Sequence, residues 1–186
     1  PELLERLSRS SFALIDPSVE EYMRREVEAA RMEEDSVGGI IECRADGVPA
    51  GLGEPVFDKL DALIAHAVLS IGGIKGIEFG SGFAAADLRG SVNNDPITPD
   101  GFTSNHAGGI IGGISNGNTI LFRAAMKPTS SIAKEQKTID EAGSAVTISV
   151  HGRHDPCLVP RAVPVVEAMT ALVLIDALLQ NRCARL

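Results

Sequence analysis

The chain has no tryptophan, one tyrosine and only 4% aromatic residues, too few rings for a base-stacking platform. It also lacks positive charge. Lys and Arg number 17 against 25 Asp and Glu, a formal net charge of −8, which argues against a nucleic-acid partner. The three cysteines, Cys43, Cys157 and Cys183, share no CxxC spacing and leave one unpaired in any disulfide scheme, as in a reducing, cytoplasmic setting. No His, Cys, Asp and Glu set has ligand spacing, so no metal is expected. No apolar run approaches the ~20 residues of a membrane helix, so no membrane is expected either. Glu2, Glu5, Asp16, Glu20, Glu21, Glu26 and Glu28 are incompatible with a signal peptide. What is left is an ordinary globular composition, 44% hydrophobic and 23% charged over 186 residues, enough for one core.

The periodicities predict helices and antiparallel strands, an α+β fold with a sheet covered by two or three long helices. Asp16-Pro17-Ser18 opens the first helix, with Ser18 and Glu21 as a capping box, and Val19, Tyr22, Met23, Val27 and Ala30 form its apolar stripe. A short strand follows at 38–43. Phe57, Leu60, Ile64, Ala67, Val68 and Ile71 mark a second helix, predicted over 56–71 and stopped by Gly72-Gly73. His66, inside that stripe, reads as a packing residue. Asn116-Gly117 between the apolar runs 109–114 and 119–126 predicts a hairpin. Thr138 to Val150 offers one or two further strands, with Val146, Ile148 and Val150 alternating. A last helix over 160–180 is apolar around most of its circumference, as a helix buried between layers would be.

Three segments carry the chemistry. Twelve of the 19 glycines lie between Gly72 and Gly117, a density that regular structure disfavours; tight loops explain it as well as close approach to a flat or phosphorylated ligand. Neither a Walker sequence nor a GxGxxG fingerprint is present. Lys127-Pro128-Thr129-Ser130-Ser131 places one ammonium and three hydroxyls together, suited to an anion or to a plain solvated turn. His151-Gly152-Arg153-His154-Asp155 offers an anion-gripping guanidinium and proton acceptors; on chemistry alone, a polar turn with Asp155 pairing locally is the simpler reading.

The order and content of these segments are similar to chorismate synthases. Lys75-Gly76-Ile77-Glu78-Phe79-Gly80-Ser81-Gly82-Phe83, the stretch from Ser104 to Gly117, Lys127 to Ile132, Gly152 to Cys157 and Arg161-Ala162-Val163-Pro164 resemble that family's motifs, and the likeness covers roughly residues 47–180. The resemblance implies a lyase that uses reduced FMN without net redox change to eliminate phosphate from 5-enolpyruvylshikimate 3-phosphate in an anti-1,4 sense, giving chorismate, with NADP among its associated chemistry. It implies flavin contacts at Gly72, Gly73, Gly112, Lys127, Pro128, Thr129, Ser130, Ser131 and Arg153. Asp155 falls on the acidic position that assists proton removal. Gly72-Gly73 stands where some relatives carry Asn-Ala, which leaves only a backbone contact there.

The family fold is two antiparallel sheets sandwiching a helical layer, and its members are typically homotetramers. They carry a further amino-terminal segment with two catalytic histidines, which neither His106 nor His154 matches, and most of the substrate-holding arginines. The chain therefore reads as the carboxy-terminal portion of a single domain, with a leading helix and strand in 1–46 and the FMN and substrate core in 47–180. On that reading residues 1–186 alone have no turnover, and a structural, flavin-binding half is the alternative.

Overall fold

The computed structural model describes residues 2–10 and 12–184. In chain order it has α1 (Glu2–Arg9), a 3-10 turn (Pro17–Val19), α2 (Glu20–Met32), β1 (Gly39–Ala45), α3 (Leu60–Leu69), β2 (Ile74–Phe79), a second 3-10 segment (Gly82–Asp87) and α4 (Gly90–Asn93). The short strands β3 (Ile97–Thr98), β4 (Gly101–Phe102), β5 (Ile110–Ile111) and β6 (Ile114–Ser115) follow, then β7 (Ile120–Met126), β8 (Gln136–Ile139), β9 (Ala145–Ile148) and α5 (Val159–Cys183). These elements form an α+β chain of two compact units. One holds the chain up to Gly39 with Met126–Val163, the other Ile40–Ala125 with the chain from Pro164 onward.

The second unit carries most of the buried apolar side chains. Its sheet has the order β1-β7-β2. Strand periodicity places Ile120, Phe122 and Ala124 on one face of β7, all buried, while Arg123 points the other way and pairs with Glu78 at 2.8 Å. The Phe122 ring tilts against Phe79, centroids 5.5 Å apart. Helix α3 buries Leu60, Ile64 and Val68 at i, i+4 spacing, as its stripe requires.

Its start differs from the sequence expectation. Val56 has φ +74 and Phe57 is 87% exposed, so the helix begins at Leu60, whose N–H donates to the Gly113 carbonyl at 2.8 Å. A tertiary bond satisfies a first-turn donor that local sequence leaves without a side-chain cap. His66 is exposed rather than packed, on the face of α3 opposite the buried stripe.

The expected hairpin around Asn116-Gly117 does not form. Instead β5 pairs antiparallel with β6, Ile110 opposite Ser115 and Ile111 opposite Ile114, and the two residues between them, Gly112 and Gly113, have φ +63 and +88. That is the two-residue turn whose twist suits a hairpin best. Asn116 makes a local turn instead, its Oδ1 accepting from the Asn118 N–H at 2.9 Å, and releases the chain into β7. Two turn signals stand a few residues apart, and the diglycine takes the hairpin.

In the first unit Asp16, not Ser18, is the cap: its Oδ1 accepts from the Ser18 N–H at 2.9 Å, and Pro17 fills the first position of the 3-10 turn. The stripe on α2 is buried only at Ala30, whereas Tyr22 and Met23 are exposed. Strands β8 and β9 pair antiparallel, Lys137 opposite Thr147 and Thr138 opposite Val146. Val146 and Ile148 are exposed, so their alternation marks a hairpin with little behind it.

Helix α5 also departs from expectation. It buries Ala162, Val166, Thr170 and Ala177 and exposes Val165, Leu172, Ile175 and Leu179, so only one face is covered among the described residues. By length and composition α5 is apolar enough to cross a membrane, with mean hydropathy 2.0 over 18 residues; a helix seated on a sheet has the same composition. Here the Thr170 hydroxyl meets Cys43 Sγ of β1 at 3.7 Å.

Candidate functional site

Three segments of the first unit are tied together. The Met126–Pro128 backbone rests on Gly38, where a Cβ would stand 2.3 Å from the Met126 carbonyl oxygen and 3.1 Å from Pro128 Cδ. Only glycine leaves room for that seat. Ser36 Oγ donates to the Thr129 carbonyl at 2.6 Å, the Lys134 N–H to the Glu34 carbonyl at 3.1 Å, and the Val150 N–H to the Ile132 carbonyl at 3.1 Å. The Val37 N–H donates to the Pro156 carbonyl at 2.8 Å beside a parallel bridge from Val37 to Cys157. Thr129 Oγ1 reaches the Asp155 carbonyl at 3.4 Å. The segments enclose a cavity of about 150 Å³ with Asp35, Ser36, Ser131, Gly152, His154 and Asp155 in its wall. His154 Nε2 is buried there without a hydrogen-bond partner among the described residues.

The charges are arranged unevenly. Lys134 is paired with Asp35 at 2.9 Å; the Lys134 hydrogen bond and the Ser36 N–H hold the Asp35 carboxyl below its ordinary pKa. Lys127 is exposed, and among the described residues its ammonium donates only to the Pro128 carbonyl, 3.1 Å away. Neither Lys127 nor Arg153 meets a carboxylate among the described residues, so both cations are available to an anion. Asp155 is bound by Arg161, from Nη1 to Oδ2 at 2.5 Å. The local pairing that simple turn chemistry suggests is present.

Gly72, Gly73 and Gly112, which the resemblance implicates, lie in the second unit. A Cβ at Gly72 or at Gly112 would meet nothing within 4 Å, while Gly73 and Gly112 take positive φ, +93 and +63. Backbone facing open space leaves room for close approach by a flat ligand, and at Gly72 packing does not demand glycine.

In the same unit the Ser104–Gly109 loop is organised by Asp95, a residue the sequence did not single out. Its carboxylate, 2% exposed, accepts from Ser104 Oγ at 2.6 Å and from the N–H groups of His106 and Ala107 at 2.7 and 2.9 Å. His106 Nδ1 stands 3.0 Å from Oδ1, close enough for an ion pair though off the hydrogen-bond direction. Burial pushes the Asp95 pKa up, but the bonds from Ser104, Ala107 and His106 outweigh it and the net shift is downward.

A carboxyl depressed on folding contributes stability that is full above its unfolded pKa of about 3.9 and is lost as pH falls through the lower folded value. Denaturant unfolding at about pH 6 and about pH 3 therefore shows an acid-side loss that Asp95→Asn reduces, most visibly as a smaller difference between the two pH values. An unchanged difference in the variant means that Asp95 does not carry it.

The structure thus brings together Lys127 to Ser131 with the Asp155 segment in one unit and places Gly72, Gly73 and Gly112 in the other. Gly38 and Ser36, which seat this site, escaped sequence reasoning because each acts through a partner far along the chain, 93 residues away for Ser36. Its only outward signal is Gly38 beside a second glycine at a strand start.

Helices with antiparallel strand pairs define an α+β protein, and it carries a cationic, hydroxyl-rich loop beside a carboxylate. The chorismate synthase family model matches residues 3–179. A chorismate synthase of Nitratidesulfovibrio vulgaris (strain DP4) is 58% identical over 167 residues, 90% of this chain and 47% of its own length. One from Archaeoglobus fulgidus is 57% identical over 182 residues, covering 95% and 51%. A crystal structure of a chorismate synthase superposes with a TM-score of 0.77 at 34% identity, covering 96% of this chain and 48% of that one. The chain belongs to the chorismate synthase family. It spans about half the length of the curated relatives it matches.

Proposed function

We propose that the protein to which this chain belongs removes phosphate from 5-enolpyruvylshikimate 3-phosphate by anti-1,4-elimination, giving chorismate, with reduced FMN as cofactor. The observation that carries this reading is the first-unit site: two cations without carboxylate partners among the described residues, Arg153 on the segment that holds Asp155 and Lys127 on the one tied to it through Thr129. Family membership, with relatives at 53–58% identity that bear the same name, supports the lyase over a purely structural half.

The reaction needs the C3–O bond to break with phosphate as an anion and the C6 proton to leave. Reduced flavin, when bound, supplies transient electron density that assists departure of the phosphate. Lys127 and the Thr129, Ser130 and Ser131 hydroxyls hold anionic oxygens, Pro128 stiffens that loop on Gly38, and Arg153 adds a second cation. Gly72, Gly73 and Gly112 let backbone approach the flavin ring system. Asp155, an anion itself, attracts neither ligand and serves the proton. The residues present fit the group: two cations stand without carboxylate partners and two glycine backbones face open space.

A cytoplasmic homotetramer acting in aromatic amino acid biosynthesis completes the proposal. The free state of Cys43, Cys157 and Cys183 supports the compartment. Residues 47–180 are its flavin and substrate core within a single domain.

Turnover is tested with the full-length protein, substrate and reduced FMN, following chorismate absorbance; no product overturns the reading. Lys127→Ala in that protein weakens FMN binding by about 10- to 150-fold, the loss of one charge-assisted bond of roughly 1.5–3 kcal/mol. Flavin titration checks it, and binding equal to the parent's removes Lys127 from the site.

A further inference from the structure

We propose that Arg161 is a positioning residue for Asp155, fixing which carboxylate oxygen is free for the proton; the inference rests on the role proposed above for Asp155. Arg161 stands in the first turn of α5, and its Nη1 donates to Oδ2 of Asp155 at 2.5 Å. Oδ1 has no partner among the described residues. The main chain of Asp155 is held separately, by Thr129 at its carbonyl and by the Val37 N–H at the next carbonyl, that of Pro156. Backbone and side chain are thus fixed from different elements, and among the described residues the side chain is held by Arg161.

The pair is not built for stability. Its side chains are 67% and 33% exposed, and an ion pair so open to water adds little to folding. What it does provide is geometry. A free aspartate turns about its last torsion, which is broad and roughly two-fold, and presents either oxygen in a range of directions. A guanidinium anchored on a helix removes that freedom and leaves Oδ1 without a partner among the described residues, on a side chain that lines the cavity. A proton acceptor displaced by even an ångström from its reacting hydrogen loses much of its effect.

The test is a double-mutant cycle in the full-length protein with reduced FMN and substrate. Arg161→Ala lowers kcat by about tenfold to a hundredfold, with KM and flavin affinity close to the parent's. Arg161→Lys recovers most of the loss, since the single N–H contact needs one donor. In an Asp155→Ala background, Arg161→Ala costs nothing further, because a residue that acts only through another has no effect once that other is gone.

Thermal melts accompany each variant. A loss that is the same size in both backgrounds, or one that follows a lowered melting temperature, makes Arg161 a folding residue and overturns the proposal. So does parent-like turnover of Arg161→Ala. If Asp155→Ala itself turns over like the parent, the role of Asp155 fails and the positioning role falls with it, whereas the first three outcomes leave Asp155 standing.

Discussion

Alanine at Asp155 in the full-length protein lowers turnover by about 100- to 10,000-fold, the span typical of a lost acid–base group, while the affinity for reduced flavin barely changes. The separation follows from charge. An anionic cofactor gains nothing from a neighbouring carboxylate, so removing Asp155 takes no attraction away from the flavin. The cations that offer such attraction, Lys127 and Arg153, remain without carboxylate partners. The main chain at Asp155 is held by Thr129 and by the Val37–Pro156 bond, neither of which needs its side chain, so the cavity keeps its shape in the variant. Steady-state rates and a flavin titration on the same preparation check both halves of the expectation. Normal turnover moves the proton to another group. A flavin affinity that falls along with the rate makes Asp155 part of the binding surface instead.

Phe122→Ala removes the largest fully buried side chain, 1% exposed, from the middle of β7. A Phe-to-Ala change in a core costs roughly 3–5 kcal/mol, the lost transfer energy plus the cavity that remains. The site is poorly suited to collapse. Phe122 sits on the central strand of the β1-β7-β2 sheet, with Ile120 and Ala124 completely buried beside it and the Phe79 ring against it. For a chain of this size each kcal/mol lowers the melting temperature by about 2–4 °C, so calorimetry of the variant shows a fall on the order of 6–20 °C. Phe122→Leu, which keeps most of the volume, loses less. A drop under about 2 °C for the alanine variant means that the second unit is not held by this core.

Helix α3 and β7 were legible because their patterns are purely local. Leu60, Ile64 and Val68 repeat at the period of a helix, and Ile120, Phe122 and Ala124 at that of a strand, whatever lies opposite. The segment from Lys127 to Ser131 was legible as chemistry, since an ammonium and three hydroxyls in five residues are visible without coordinates. Its seat was not. Gly38 looks like an ordinary strand glycine until the Met126 carbonyl is placed against it. Asp95 looks like any loop aspartate until it collects Ser104, His106 and Ala107 from about ten residues downstream.

The same division explains the wrong expectations. Whether Gly112-Gly113 or Asn116-Gly117 turns the hairpin depends on which pairing leaves β7 free to join β1 and β2, a competition between distant strands. The exposed stripes of α2 and α5 look in sequence like stripes that must be covered, because periodicity states that a face is apolar and not what lies against it.

The sequence by itself therefore determined the class of elements and the family motifs and their order, all carried by residues close together in the chain. Only the tertiary structure decided the distant partners: Gly38 under Pro128, Asp95 under the glycine-rich loop, and Leu60 on Gly113. The reason is physical. Hydrophobic period and turn chemistry act over a few residues, whereas a hydrogen bond or a close backbone contact is set by the path of the whole chain, which no local pattern encodes.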